Sequence, residues 1–217
     1  TGVKDHFVDE INDINSNLHV IVNGTVMDPV EYKKDTSNAI FTFVCIGTVG
    51  NRKNQMFILD ALNYLSKSAL KNIRFEFLGI DRTEGEFDKR IMKYDLADIC
   101  ENCGFVNPED VEKHLMNADG TIMVSVQEAF GLSVIEGFQY GLPALTYSDL
   151  AASSDFYSED AVMFIKDRTV NALADAIIGF ASRKWDRKKI KAWGQRFKLN
   201  NIADEYVDLY ETILGME

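Results

Sequence analysis

Ser125-Val126-Gln127-Glu128-Ala129-Phe130-Gly131-Leu132-Ser133-Val134-Ile135-Glu136-Gly137-Phe138-Gln139-Tyr140-Gly141-Leu142-Pro143 is the stretch on which the reading of this chain turns. Before it, Thr121 to Val126 is rich in β-formers; within it, Gly131 to Tyr140 repeats apolar residues at helical spacing; after it, Leu142 to Tyr147 is β-rich again. Strand, helix and strand in that order predict a crossover unit, the connection that joins parallel strands. If the helix opens near Gly131, the amides of Gly131 and Leu132 are unpaired donors suited to phosphate oxygens, and glycine lets a ligand come close. Glu136 then lies about 7.5 Å further along the helix axis, within reach of a ribose carried on that phosphate. An ionised carboxylate is a pure acceptor and can take both protons of a vicinal diol. Glu128 faces the other end of the phosphates. The plain alternative makes Glu128 and Glu136 surface carboxylates that favour a helix start. Against it stands the helix itself, where Leu132, Val134, Ile135 and Phe138 leave only a narrow polar stripe of Ser133, Glu136 and Tyr140.

The same alternation extends outward in both directions. Ile40 to Ile46, Ile73 to Leu78, Ile99 to Phe105 and Ala161 to Ile165 read as further strands. Gln55 to Ser66, Phe87 to Tyr94 and Pro108 to Met116 read as the helices between them, and Val170 to Leu214 as three more. The expected fold is α/β, a doubly wound, Rossmann-like parallel sheet over residues 39–217. The first residues differ: a helical pattern at Val3 to Ile14, a strand at His19 to Val22 and an Asn23-Gly24 turn place residues 1–24 with another unit. Residues 25–38, polar and containing Pro29, have the composition of a linker.

Composition narrows the partners. Apolar residues make up 46% and charged residues 26%, as in an ordinary globular domain. A formal net charge of −11 argues against nucleic acid, whose phosphates call for surplus Lys and Arg. Arg183 to Lys198 is the local exception, with eight basic residues and one acid, Asp186. It reads either as the solvated face of helices or as a contact with a partner or a membrane surface. No apolar run approaches the ~20 residues of a membrane span, and residues 1–25 lack the pattern of a secretory signal. Cys45, Cys100 and Cys103 are an odd number of thiols, which suits a reducing cytoplasm. Cys100-Glu101-Asn102-Cys103 has the spacing of a zinc or redox pair but no second pair to complete it, so buried thiols are the expected reading. The chain starts at Thr1 without Met, which suggests a piece of a longer protein.

A second loop follows the strand Ile40 to Ile46. Gly47-Thr48-Val49-Gly50-Asn51-Arg52-Lys53-Asn54 combines two glycines and two cations at a strand-to-helix turn. Close backbone approach, helix-end amides and the Lys53 charge suit a diphosphate, although turns of this composition are also common without one.

Taken together, Ser125-x-x-Glu128-Ala129-Phe130-Gly131-Leu132-x-x-x-Glu136-Gly137-Phe138-x-x-Gly141-Leu142-Pro143 resembles the motif of family-four glycosyltransferases, retaining enzymes of the two-domain GT-B fold. Their hallmark is two glutamates with seven residues between them, the spacing of Glu128 and Glu136. The resemblance implies that Glu128 contacts the donor sugar, that Glu136 binds the ribose, and that the backbone from Ala129 and Phe130 to Gly131 and Leu132 takes phosphate. Gly47 to Lys53 resembles the family's phosphate loop, with Lys53 in the lysine position, and Cys103-Gly104-Phe105-Val106 resembles the segment that meets the base, which makes Val106 a candidate there. Phe77-Leu78-Gly79 and Tyr206 to Tyr210 resemble further family segments, and residues 1–24 resemble the end of the acceptor domain running into the linker. Two departures stand out. Thr48 occupies the position of a phosphate-binding arginine, with Arg52 a candidate to compensate, and Ala151-Ala152-Ser153-Ser154-Asp155 replaces a Gly-Gly-x-x-Glu segment.

The resemblance therefore implies the C-terminal, donor-binding half of a GT-B enzyme. It implies transfer of a hexosyl unit from a nucleoside diphosphate sugar, UDP favoured and GDP second, with retention, no metal and no further cofactor. Lys53 and Glu128 are the expected catalytic residues. An acceptor-binding N-terminal domain is the missing partner, so the fragment alone is expected to be inactive. The expected setting is polysaccharide synthesis in the cytoplasm, with segment 183–198 a candidate for touching the inner face of the membrane. The alternatives are a nucleotide-binding module without catalysis, a GT-B-like epimerase and a dinucleotide-dependent oxidoreductase. The last is disfavoured because no G-x-G-x-x-G follows any strand.

Overall fold

Residues 19–27 and 40–215 are described in the computed structural model of the chain. Six strands form one sheet: β1 (Phe41–Ile46), β2 (Ile73–Leu78), β3 (Cys100–Gly104), β4 (Gly120–Met123), β5 (Ala144–Tyr147) and β6 (Val162–Ile165). All are parallel, in the order β3-β2-β1-β4-β5-β6. The chain winds outward from β1 in one direction and from β4 in the other. This order leaves a crevice at the carboxyl ends of β1 and β4, where successive connections part to opposite sides.

Between the strands lie α1 (Gln55–Tyr64), α2 (Lys67–Leu70), α3 (Glu86–Lys93), α4 (Pro108–Asn117), α5 (Leu132–Gln139) and α6 (Ser153–Phe156). The tail contains α7 (Val170–Ser182), α8 (Arg187–Gly194) and α9 (Leu199–Leu214), with a short 3₁₀ turn at Gln195–Phe197. The expected doubly wound sheet is thus present. The short helices α2 and α6 have no counterpart in the sequence reading, since four residues are too few for a helical period to show.

Alternation along the central strands sends side chains to two cores. On one face Phe43 stacks on Phe75 with ring centroids 4.8 Å apart, Phe87 of α3 meets Phe77 edge-on at 4.9 Å, and Phe180 of α7 covers Phe43 at 5.4 Å. On the other, Val44 and Leu78 pack with Leu115 and Ala118 at the end of α4. The two cysteines of β3 divide between these faces, Cys100 in the first core and Cys103 beside the second, so they cannot act as a pair.

The segment His19–Val22, expected as a strand, has no regular secondary structure. A strand needs a neighbour to take its backbone hydrogen bonds, and no described strand pairs with it. Instead Thr25 forms a parallel bridge with Lys198: its N–H donates to the Phe197 carbonyl at 2.8 Å, and its carbonyl accepts from the Leu199 N–H at 3.0 Å. Gly24 makes this docking possible, because a Cβ there would stand 2.9 Å from the Leu199 Cα. The expected helix at Val3 to Ile14 and most of the expected linker lie outside the described residues.

Candidate functional site

The loops leaving β1 and β4 meet at the crevice and enclose a cleft of about 390 Å³. The first loop is folded by its own backbone and by one buried side chain. Gln55, at the start of α1, donates through Nε2 to the carbonyls of Gly47 (3.1 Å) and Thr48 (3.2 Å) and accepts from the Gly50 amide at 3.1 Å. An amide side chain supplies donor and acceptor together, so Gln55 replaces a turn of helix for three loop residues. Gly47 has φ +132°, and a Cβ there would crowd the Lys53 side chain at 3.1 Å. The glycine leaves room for that lysine to turn back into the cleft.

The second loop ends at Gly131, which opens α5 with φ +84° and no side-chain cap. The Val134 N–H reaches back to the Gly131 carbonyl at 2.9 Å, which leaves the amides of Leu132 and Ser133 without helical partners. No acidic residue occupies the first turn of α5 to neutralise its positive end. Phe130 is buried and packs edge-on to Phe197 with centroids 6.3 Å apart, so its ring anchors the loop where it lines the cleft. Helix α5 is held from both sides. A Cβ on Gly137 would lie 2.6 Å from the Thr121 Cγ2 on β4, and Gly194 of α8 presses on the Phe138 backbone within 2.8 Å of where its own Cβ would be. Gln139 adds a buried hydrogen bond of 2.6 Å to the Gly194 carbonyl.

Within the cleft, Lys53 Nζ lies 2.5 Å from Glu128 Oε2, and Arg52 Nη1 lies 3.6 Å from the same oxygen. Ser125 Oγ donates to it at 3.4 Å. Burial pushes the Glu128 carboxyl upward, but the Lys53 hydrogen bond and charge, Arg52 and the Gly131 amide outweigh it and hold Glu128 below its ordinary value. Glu136 is the opposite case. Desolvation pushes it up to about 7 against the opposing charge of Lys53, and its carboxyl has no hydrogen-bond partner among the described residues. A half-buried carboxyl on the cleft wall with no protein partner among the described residues is available to a donor-bearing ligand.

Of the residues singled out from sequence, Gly47, Arg52, Lys53, Glu128, Ala129, Phe130, Gly131, Leu132 and Glu136 all line this one cleft. Thr48 and Val106 do not. Thr48 is exposed, and Val106 is half-buried against the second core beside Val44 and Leu78. Asn23 also lines the cleft, having been read from sequence only as a turn, because folding of residues 19–27 over the domain is a long-range event without local signal. Gln55 was equally invisible, an ordinary polar residue at a helix start.

The thiols stay outside this chemistry. Burial pushes Cys45 and Cys100 up to about 12 and Cys103 to about 11. Among the described residues no three His, Cys, Asp or Glu side chains converge, and no helix is long and apolar enough to cross a membrane.

The family model described as glycosyl transferases group 1 matches residues 28–197. The chain belongs to that family. Solved structures of similar fold include a sucrose-phosphate synthase from Thermosynechococcus elongatus (TM-score 0.74, 17% identity, 99% of this chain and 57% of that one). A lipopolysaccharide outer core galactosyltransferase, WaaB, aligns with TM-score 0.71 and 15% identity over 89% of this chain and 55% of that one. Anabaena Alr3699/HepE, solved in complex with UDP and glucose, aligns with TM-score 0.66 and 17% identity over 83% and 54%. This group 1 chain therefore spans just over half the length of each of these three structures, and the likeness concerns the fold. No curated protein matches it.

Proposed function

We propose that this group 1 domain holds a nucleoside diphosphate sugar and presents it for transfer to an acceptor with retention of configuration. The observation that carries the reading is the unpartnered Glu136 carboxyl on the same cleft as the Lys53–Glu128 pair. Glu136 takes the ribose diol; Lys53, Arg52 and the free amides at the start of α5 take the diphosphate; Glu128 reaches the sugar. Charge that develops on the departing diphosphate is opposed by Lys53 and those amides, fixed in place before the bond breaks. UDP is the favoured nucleotide, supported by the UDP and UDP-glucose complexes of the Anabaena relative, with GDP second.

Residues 1–24 then belong to an acceptor-binding domain and 25–38 to the linker, and the transferase needs that domain as the other wall of its cleft. The working location is the cytoplasm. The exposed Lys184, Lys188 and Lys189 around α8 supply a positive face for the inner surface of a membrane. A nucleotide-binding module without catalysis is the second reading, favoured by Thr48, which leaves the cleft without the expected arginine at that position. Arg52, on the cleft and near Glu128, favours the first.

Calorimetric titration of the chain with UDP, GDP and ADP, repeated on Glu136→Ala, tests the reading. One nucleotide is expected to bind, and the variant to bind it about tenfold or more weakly, since a hydrogen bond to a charged group contributes about 1.5–3 kcal/mol. Unchanged affinity in the variant removes Glu136 from the ribose.

A further inference from the structure

The loop that carries Glu128 is gripped at one peptide bond, between Ser125 and Val126. Its N–H side, on Val126, donates to the Arg52 carbonyl of the β1 loop at 2.8 Å. Its carbonyl side, on Ser125, accepts from Arg168 Nη1 at 3.0 Å. Ser125 is fully buried, so this carbonyl has no exposed side chain of its own residue to draw in water as a substitute.

Arg168 lies beyond the end of β6, 43 residues from Ser125 in sequence, and its aim is fixed by everything else it touches. Its Nε and Nη2 donate to the two carboxylate oxygens of Asp149, each at 2.8 Å, a fork-on-fork pair that sets the plane of the guanidinium. The same guanidinium lies over the ring of buried Tyr147, 4.1 Å from its centroid. With Nε and Nη2 committed to Asp149, Nη1 points at the Ser125 carbonyl. Three loops at the carboxyl edge of the sheet, after β4, β5 and β6, thus converge on one side chain.

We infer that Arg168 is a positioning residue for Glu128: by clamping the Ser125–Val126 peptide it holds the sugar end of the donor cleft in register with Lys53. The inference rests on the nucleotide-sugar reading only for its consequence in binding, not for the clamp itself. Arg168 does not line the cleft, so it acts through Glu128 and never touches the donor. Lysine cannot reproduce the arrangement, because a single ammonium cannot fork to Asp149 and also reach the Ser125 carbonyl along a fixed direction.

The test uses the full chain and the variants Arg168→Lys and Arg168→Met, the first keeping charge and fold if the second unfolds. The titration midpoint of the Glu128 carboxyl is followed by NMR, and affinities for UDP and UDP-glucose are measured by calorimetry. In Arg168→Lys the midpoint is expected to rise as Glu128 drifts from Lys53. Affinity for UDP is expected to stay within about twofold, while that for UDP-glucose falls about tenfold. A role confined to stability leaves the ratio of the two affinities where it was, and that result, or an unmoved midpoint, overturns the inference. A wild-type chain that binds neither ligand removes the nucleotide-sugar reading instead; the midpoint then decides the clamp alone, a rise supporting it and constancy refuting it.

Discussion

Lys53 and Glu128, 75 residues apart in sequence, meet across the cleft as an ion pair of 2.5 Å with side chains only 14% and 11% exposed. Each comes from a loop at the carboxyl end of a central strand, β1 or β4, and neither loop could place its charge without the other strand beside it. The pair links the fold to the proposed chemistry, since the cation proposed to meet phosphate is the same one that holds Glu128 below its ordinary value.

Removing one partner is therefore expected to hurt more than removing both. Lys53→Met strands a largely buried carboxylate, and a loss of about 3 kcal/mol at pH 7 is expected from urea unfolding. Lys53→Met/Glu128→Gln should recover more than half of it. Because Glu128 is held below its ordinary value, its stabilising share is present at neutral pH and lost as pH falls; the Lys53→Met penalty should shrink accordingly in acid.

Glu136 works with the opposite sign. A carboxyl raised to about 7 binds a proton in the folded state that the unfolded chain releases near its ordinary 4.5. The folded state is thus favoured below about 4.5 and loses that advantage as pH rises through 7, by about 2 kcal/mol after allowance for solvent screening. Glu136→Gln should be more stable than wild type at pH 8 and equal to it at pH 4.5 by thermal unfolding. If Glu136 accepts a diol it must be ionised, so UDP affinity should climb between pH 6 and 8 in wild type and climb less in the variant.

Gly137→Ala probes the seat of α5. The new Cβ, 2.6 Å from the Thr121 Cγ2, forces helix and strand apart, at about 1–3 kcal/mol in chemical denaturation. Since Glu136 is the adjacent residue, nucleotide affinity should fall with it.

Thiol reactivity gives an independent check of the core. With Cys45 and Cys100 at about 12 and Cys103 at about 11, the reactive thiolate is scarce at pH 8. Alkylation of the native chain should run at least about 100-fold slower than that of free cysteine, and all three thiols should react once urea unfolds the domain.

Most of this arrangement was legible in the residues because it is local. Strand-to-helix alternation predicted each of the six strands to within a few residues, and the spacing of Glu128 and Glu136 on one loop and one helix predicted the shared cleft. Thr48, expected at the phosphate, is exposed and off the cleft lining, and the tie from Gln55 to its carbonyl is a contact with no local mark in the sequence. His19–Val22 read as a strand from its β-branched residues, yet strand formation depends on a neighbour that no propensity records. Arg168 and Asn23 illustrate the harder limit. Arg168 sits in the polar run Lys166 to Thr169 and Asn23 directly after the apolar Val20-Ile21-Val22, and the place of each in the structure exists only once distant segments come together.

The bridge between Thr25 and Lys198 has a consequence for how such domains can be shuffled. The chain enters the folded unit and begins its final helix at the same spot, so everything between is a closed loop of sequence fastened at one clasp. Cut at Thr25 and Lys198, the enclosed segment offers its two ends side by side, so both junctions of a transplant fall at one place on the host, much as a cartridge is changed without rebuilding its housing.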